Sequence, residues 1–307
     1  MFFNKKKISV AVHSGKFHAD DVFSVATLSL YLNIPPEDFD IKRTRDVETI
    51  KKADYVFDVG FLNNGETRFD HHQKGGAGVR SDNIPYASFG SVWKKFGEKI
   101  CGDKLVADRI DKKIIEPLDA EDSGVNITTC LFKDVSHFTV SDLIYHFNPT
   151  WKEDLNKIDE SFLKAVKFAK SILEREIKRA KDTLEEFKIA ESIIKDKYEK
   201  TEDKRIILIE DDLPWKEIVN KFKEPLFVIV NSDVDKTWRV YGVRDDMKVF
   251  NYRKYLPESW AGKEKEDLAL VSGVKDAIFC HTARFLCAAK TLEGAVEMAR
   301  KAVESKS

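Results

Sequence analysis

The segment HSGKFHADD, from His13 to Asp21, crowds four metal-capable side chains into one short stretch. Imidazole nitrogen and carboxylate oxygen together suit manganese, iron, zinc or cobalt, whereas an all-oxygen cage suits magnesium or calcium. The competing role is local: Asp20 or Asp21 stands where it can cap the following helix. A further carboxylate, Asp58, ends the hydrophobic run Tyr55-Val56-Phe57, and RFDHH, Arg68 to His72, follows another short strand signal. Adjacent histidines on an extended segment point to opposite sides, so one of His71 and His72 can bind a cation while the other faces elsewhere; in a turn they converge. Asp70 can ligate directly or accept a ring proton and fix the histidine tautomer. Four of the seven histidines lie in these two motifs beside strand-end aspartates, a concentration that satisfied core histidines do not produce by chance.

Basic residues nearby could add positive charge for a phosphate, namely Arg43, Arg45, Lys74 and Arg80, although for any one of them an exposed surface position is the favoured reading. The segment QKGGAGVR, Gln73 to Arg80, has glycines that permit close backbone approach to a ligand. It lacks the Walker lysine and the spacing of a dinucleotide loop.

The elements that must position these residues follow from periodicity. Residues 8–12, 39–44 and 55–60 read as strands, and 21–31 as a helix, an alternation that predicts an α/β fold with a parallel sheet. Ligands bind beyond the carboxyl ends of such strands, where His13 and Asp58 both fall. Helices are predicted at 87–99, 105–118 and 140–147, the second ending in the acidic turn DAEDSG, Asp119 to Gly124. Asn148-Pro149-Thr150-Trp151 marks a domain boundary, because proline disfavours helical geometry at Asn148. From Lys152 to about Lys200 apolar residues recur at helical spacing (Leu163, Val166, Ala169, Ile172, Leu173) in a charged, nearly Gly/Pro-free stretch. Strand signals return at 205–210, 226–231, 237–243 and 277–281, with a last helix at 292–303. Three regions result: a catalytic domain at 1–150, a helical connector at 151–203, and an α/β domain at 204–307.

Composition narrows the setting. The chain has 307 residues and a formal net charge of −1, so no global attraction to nucleic acid or membrane follows. Cys101, Cys130, Cys280 and Cys287 form no CxxC pair, which fits a reducing, cytoplasmic environment. The N-terminus MFFNKKKISVAVHSG lacks the apolar core and cleavage site of a secretory signal, and no stretch reaches the roughly 20 apolar residues of a membrane span.

Taken in order, HSGKFHADD, KRTRD, DYVFDVG, RFDHHQ, PLDAEDSG and NPTW resemble the DHH phosphoesterase superfamily, and within it the melanocyte-proliferating-gene family, also labelled metal-dependent protein hydrolases. The resemblance implies a DHH-type N-terminal domain, a long helical connector and a smaller C-terminal substrate-binding domain. It implies two divalent cations, commonly manganese or magnesium, held around one bridging carboxylate and a hydroxide. Carried over by motif position, His13, His18 and Asp20 are ligands, Asp58 is the bridge and His71 binds the second cation. Asp119 completes the set, with Asp122 as its rival. The wider superfamily has His-x-x-x-Asp-x-Asp in the first motif, and here His18 stands near the first aspartate's place. His72 would contact the scissile phosphate.

The resemblance also implies RNA or short oligonucleotides as substrate. Trp238, Arg239, Tyr241, Arg244, Tyr252, Arg253, Lys254, Tyr255 and Trp260 mix rings with cations as a single-strand groove requires, although ordinary strand packing explains most of them singly. HTARFLCAAK, residues 281–290, falls at the family's small-residue substrate loop, with His281, Arg284 and Lys290 as candidate phosphate contacts. The leading expectation is a two-cation, 3′-to-5′ exoribonuclease acting on single-stranded RNA, with Asp58, Asp70 and His72 at the reacting centre. A small-molecule phosphoesterase and a non-catalytic, metal-stabilised RNA-binding protein are the alternatives, and a homo-oligomer is compatible with each.

Overall fold

Parallel strands need both faces covered, and the apolar runs of the first half are buried accordingly. The computed structural model describes residues 6–246 and 251–305; residues 1–5, which open the segment read as lacking a secretory signal, lie outside them. Strand β1 (Ser9–Val12) buries Val10, Ala11 and Val12 completely. It leads to α1 (Ala19–Leu32), whose residues from Ala19 to Ser29 are all buried. Then come β2 (Asp40–Arg43), α2 (Val47–Lys52), β3 (Tyr55–Phe57) and β4 (Arg68–Phe69). The four strands are parallel in the order β2-β1-β3-β4. Because β3 lies between β1 and β4, the residues that follow these three strands, His13, Asp58 and Asp70, emerge side by side.

The helix α3 (Ser88–Cys101) packs on α1, with the Phe23 and Phe89 rings 5.2 Å apart. Its N-cap is Ala87, which has no side-chain acceptor for the first amides. Asp20 of α1 supplies one: its Oδ1 accepts from the Phe89 amide at 2.6 Å and its Oδ2 from the Ser88 amide at 3.2 Å. Periodicity predicts a single helix over 105–118. The structure keeps residues 104–122 helical throughout but breaks the α pattern inside them, with α4 (Lys104–Ile110), a π turn at Asp111–Ile115 and α5 (Glu116–Asp122) following without a gap. Pro117 explains the break, since its ring and missing N–H spoil the α ladder of the preceding turn. A reciprocal Thr139/Asp142 capping box opens α6 (Val140–Tyr145).

The charged stretch forms one helix, α7 (Ile158–Lys200), of 43 residues, about 65 Å at 1.5 Å per residue. The chain divides within it into two compact units, residues 1–182 and 183–307. In the first, Phe162, Ala165, Val166, Ala169 and Leu173 form its buried stripe.

The second unit contains β5 (Ile206–Ile209), α8 (Lys216–Asn220), β6 (Phe227–Ser232), β7 (Thr237–Gly242), α9 (Lys265–Ser272), β8 (Ala277–Cys280), β9 (Leu286–Ala289) and α10 (Leu292–Glu304). Its sheet order is β5-β6-β7-β9-β8, with only the β5/β6 pair parallel. Met298 and Ala299 of α10 pack with Phe227 and Val240, while Ala190 and Ile194 of α7 pack with Ile207 and Val228. Cys287 and Ala288, read from sequence within a substrate loop, are instead the buried centre of β9, paired with Val240 and Arg239. Their small size serves sheet packing. Among the described residues all four cysteines are free, and no helix is long and apolar enough to cross a membrane.

Candidate metal centre

His13 follows β1 and is buried. Its Nδ1 lies 3.1 Å from the Ser14 carbonyl, an acceptor that calls for a protonated Nδ1 and leaves the Nε2 lone pair for another partner. Nε2 lies 3.2 Å from Asp21 Oδ2 and 3.5 Å from Asp58 Oδ2. Burial pulls the imidazole pKa down, but the Asp21 and Asp58 carboxylates more than offset this and lift it to about 9. His18 is the exposed N-cap of α1, and its ring centroid is 5.2 Å from that of His13.

Asp58 leaves β3 with φ 52°, a left-handed conformation that aspartate tolerates better than most residues. Its amide donates to the Phe69 carbonyl at 2.9 Å, tying β3 to β4. The carboxylate is buried, and that burial, with the Asp21 charge, pushes its pKa up to about 8.

Asp70 is committed to protein donors. Its Oδ1 accepts from the His71 and His72 amides and from His72 Nδ1 at 2.7 Å, and its Oδ2 accepts from the Phe61 amide. Burial alone would raise its pKa, but these hydrogen bonds lower it. Asp70 thus fixes the His72 ring and leaves Nε2 of that half-exposed imidazole uncommitted. His71 stacks on His72 with centroids 4.3 Å apart, and its Nε2 lies 3.2 Å from Asp122 Oδ2. Its Nδ1 faces Asp20 Oδ2 at 3.8 Å and Asp58 Oδ1 at 3.9 Å. The turn after the second histidine is drawn back by Gln73, whose Nε2 donates to the Asp70 and Gly76 carbonyls.

Three overlapping donor groups result: His13, His18 and Asp58; Asp20, His71 and Asp122; and Asp58, Asp70, His71 and His72, the donor atoms of each lying within 4.8 Å of one another. Asp58 belongs to two of them. Buried polar atoms are normally satisfied. Yet His13 Nε2, Asp21 Oδ2, Asp58 Oδ1 and His71 Nδ1 make no hydrogen bond, so the donor set fits divalent cations.

The acidic turn resolves by helix phase. Asp122, at the end of α5, faces His71, and burial raises its pKa. Asp119, one turn earlier, accepts from Arg80 Nη1 at 2.6 Å and from the Gly90 amide at 3.0 Å. Burial outweighs even the guanidinium and takes Asp119 to about 7. Gly90 is obligatory there, since a Cβ would sit 1.8 Å from Asp119 Oδ2.

The other sequence-predicted residues are dispersed. Arg80 is buried between Asp119, Asp111 and Glu116, its Nη2 2.9 Å from Asp111, so its charge is already committed within the first unit. Arg43 donates to the Gly15 carbonyl and Asp159 and lies over the Phe17 and Phe162 rings. Arg45 and Lys74 are exposed. In the second unit His281 and Lys290 are exposed, His281 Nδ1 accepts from the Ala283 amide at 3.0 Å, and Arg284, at φ 57°, lies over the Tyr255 ring. Sequence reasoning missed the cavity of about 350 Å³ beside the donor groups, where Glu121, Ser141 and Tyr145 join His18, Asp20 and Asp122. It also counted Asp21 among the metal-capable side chains but left it out of the ligand set, with capping as its competing role. The adjacency of Asp21 to Asp20 was the available signal.

A parallel sheet whose strand ends carry overlapping His/Asp donor groups defines an α/β protein with a candidate metal-dependent active centre. The MYG1_exonuc family, described as Uncharacterised protein family (UPF0160), matches residues 9–303, and the chain belongs to it. It is 29% identical over 325 residues to a MYG1 protein of Caenorhabditis elegans, covering 96% of this chain and 95% of that one. It is 28% identical over 341 residues to the MYG1 exonuclease of Homo sapiens, covering 97% of this chain and 86% of the relative. RecJ in complex with Mn2+ from Thermus thermophilus aligns at 11% identity with a TM-score of 0.27, over 97% of this chain and 52% of that longer chain.

Proposed function

We propose that the protein is a divalent-metal-dependent phosphodiester hydrolase, an exonuclease that removes nucleotides from the 3′ end of single-stranded RNA or short oligonucleotides. The observation that carries this reading is the set of donor groups sharing Asp58 and His71, with four buried donor atoms unpaired. The exonuclease names of the mammalian relatives agree with it. In this reading His13, His18 and Asp58 hold one cation, and Asp20, Asp58, His71 and Asp122 hold the other, with manganese as the expected metal and magnesium as its substitute. Bound there, the cations would lower the pKa of an attacking water and offset the charge that builds on the phosphate oxygens.

The chain's own residues do the remaining work. Asp70 accepts from His72 Nδ1, so the ring is held in a fixed direction and its Nε2, in the imidazolium form, would donate to a phosphate oxygen. Asp20 uses both oxygens to cap α3, which anchors α1 and α3 about the donors. Asp119 serves by immobilising Arg80 and α5, and Asp122 takes the ligand position. The C-terminal domain at 204–307, which lies within the second unit and exposes His281 and Lys290, is the substrate-binding portion, joined by the connector at 151–203.

The cavity beside His18 and Asp122 has the volume of a small ligand. It therefore also accommodates a second reading, hydrolysis of a dinucleotide or other small phosphoester. A length series of 5′-labelled RNAs with Mn2+ separates the two. Shortening of long strands by single nucleotides supports the exonuclease, turnover confined to two or three nucleotides supports the small-molecule enzyme, and no turnover of any length with any divalent metal rejects both.

A further inference from the structure

Asp21 is a buried acid that the proposed chemistry leaves unused. Its side chain is fully buried, and its two oxygens have different surroundings. Oδ1 accepts from the His18 amide at 3.0 Å and from its neighbour Val22 at 2.9 Å, which satisfies the start of α1. Oδ2 accepts no hydrogen bond and lies 3.2 Å from His13 Nε2, which also makes none. Asp58 Oδ2 is 3.5 Å from that same nitrogen. As the N3 residue of the capping box of α1, Asp21 uses one oxygen to accept from the His18 amide, and an asparagine oxygen would serve as well.

With His13 Nδ1 facing the Ser14 carbonyl, release of the Nε2 proton turns that lone pair toward two carboxylate oxygens. That arrangement places three electron-rich atoms around one point, and only a positive charge between them relieves it. The two hydrogen bonds to Oδ1 fix the direction of Oδ2, so this donor is already oriented before any ligand arrives.

We infer that Asp21 Oδ2 is a direct donor to the divalent cation held by His13 and Asp58, making that position richer in carboxylate than the donor group of His13, His18 and Asp58 alone. The inference rests on the proposed metal centre and adds a ligand to it. Beside the two imidazoles of His13 and His18, Asp21 adds a second anionic donor to Asp58 in this half of the site. The extra charge favours a divalent cation there.

The test is cation binding to metal-stripped full-length protein, read by calorimetric titration with Mn2+ and by metal content after dialysis, for wild type, Asp21→Asn, His13→Ala and the double variant. Asp21→Asn keeps an oxygen for the two amides, so the circular dichroism spectrum should be unchanged. The expected result is loss of one of two tightly held Mn2+ ions, with a Kd increase beyond the roughly 10- to 100-fold that removal of an orienting partner produces. Asp21→Asn should weaken binding further in the His13→Ala background. No further weakening there would show that Asp21 acts only by orienting His13, and unchanged binding in either background would also overturn the inference. Should Asp21→Asn fail to fold, Asp21→Ser and Asp21→Glu replace it: the serine variant is expected to hold one ion and the glutamate variant two, and equal retention would overturn the inference. If the binding results hold while no RNA is cleaved, the nuclease reading falls and the ligand assignment stands.

Discussion

Two buried acidic clusters share the first unit, and they are neutralised differently. Around Arg80, Asp111, Glu116 and Asp119 close on a guanidinium, with contacts of 2.9, 3.8 and 2.6 Å. Around His13 and His71, the carboxylates Asp20, Asp21, Asp58 and Asp122 face imidazoles, and several donor atoms lack hydrogen bonds. A buried charge requires a counter-charge. The first cluster carries one covalently in its own side chain, while the second has the composition to take it from solution. Asp119 and Asp122, one turn apart on the same short helix, fall on opposite sides of this division.

The sharpest way to break the comparison is Asp58→Asn, which tolerates the left-handed backbone and retains the side-chain volume. If Asp58 joins both cation positions, hydrolysis falls on the order of a thousandfold, a loss of several kcal/mol of transition-state stabilisation. Metal content should fall with it while the fold persists; wild-type turnover by Asp58→Asn would remove the shared-ligand mechanism. Next in size is Arg80→Met, which strands Asp119 and Asp111 and should lower unfolding free energy by about 3–5 kcal/mol. Urea denaturation should show the same loss with and without Mn2+, and full rescue by metal would mean that the two clusters are one. Asp70→Asn should reduce turnover roughly 10- to 100-fold by loosening His72. Its Mn2+ stoichiometry should stay at the wild-type value, so loss of an ion would reassign Asp70 as a ligand.

The smallest effect concerns pH. In metal-free protein Asp58 titrates at about 8 against an ordinary 3.8, and His13 at about 9 against 6.5. The folded state therefore holds protons that the unfolded chain has released, and stability, fully present below about 4, is lost as pH rises through 8 to 9. Saturating Mn2+ should reverse the slope, because the metal competes with those protons. Melting temperatures measured across this range with chelator and with Mn2+ give the check, and a flat or rising profile in chelator contradicts the protonated cluster.

Local sequence carried the strand ends. His13, Asp58 and the Asp70-His71-His72 triplet were legible because a buried parallel strand announces where it stops, and the helix at 87–99 is recovered as α3. What local pattern could not supply was helix phase and through-space pairing. The choice between Asp119 and Asp122 turns on the π turn ahead of Pro117, which rotates all that follows, and periodicity treats 105–118 as continuous. Arg80 looked available because its partners Asp111 and Asp119 lie 31 and 39 residues away in sequence. Asp20 capping a helix 68 residues later is equally invisible. β9 was hidden because its alanines and cysteine lack the branched side chains that mark a strand.

The backbone at Asp58 carries a consequence for mutation. Its left-handed conformation admits glycine, asparagine and aspartate, whereas the proposed metal centre calls for an acid. Aspartate alone meets both demands, glutamate failing on backbone preference and reach. An aspartate codon is a single base change away from both asparagine and glycine. Both of these single-base changes would therefore keep the backbone conformation while removing the acid, leaving a folded chain without its shared donor rather than an absent one.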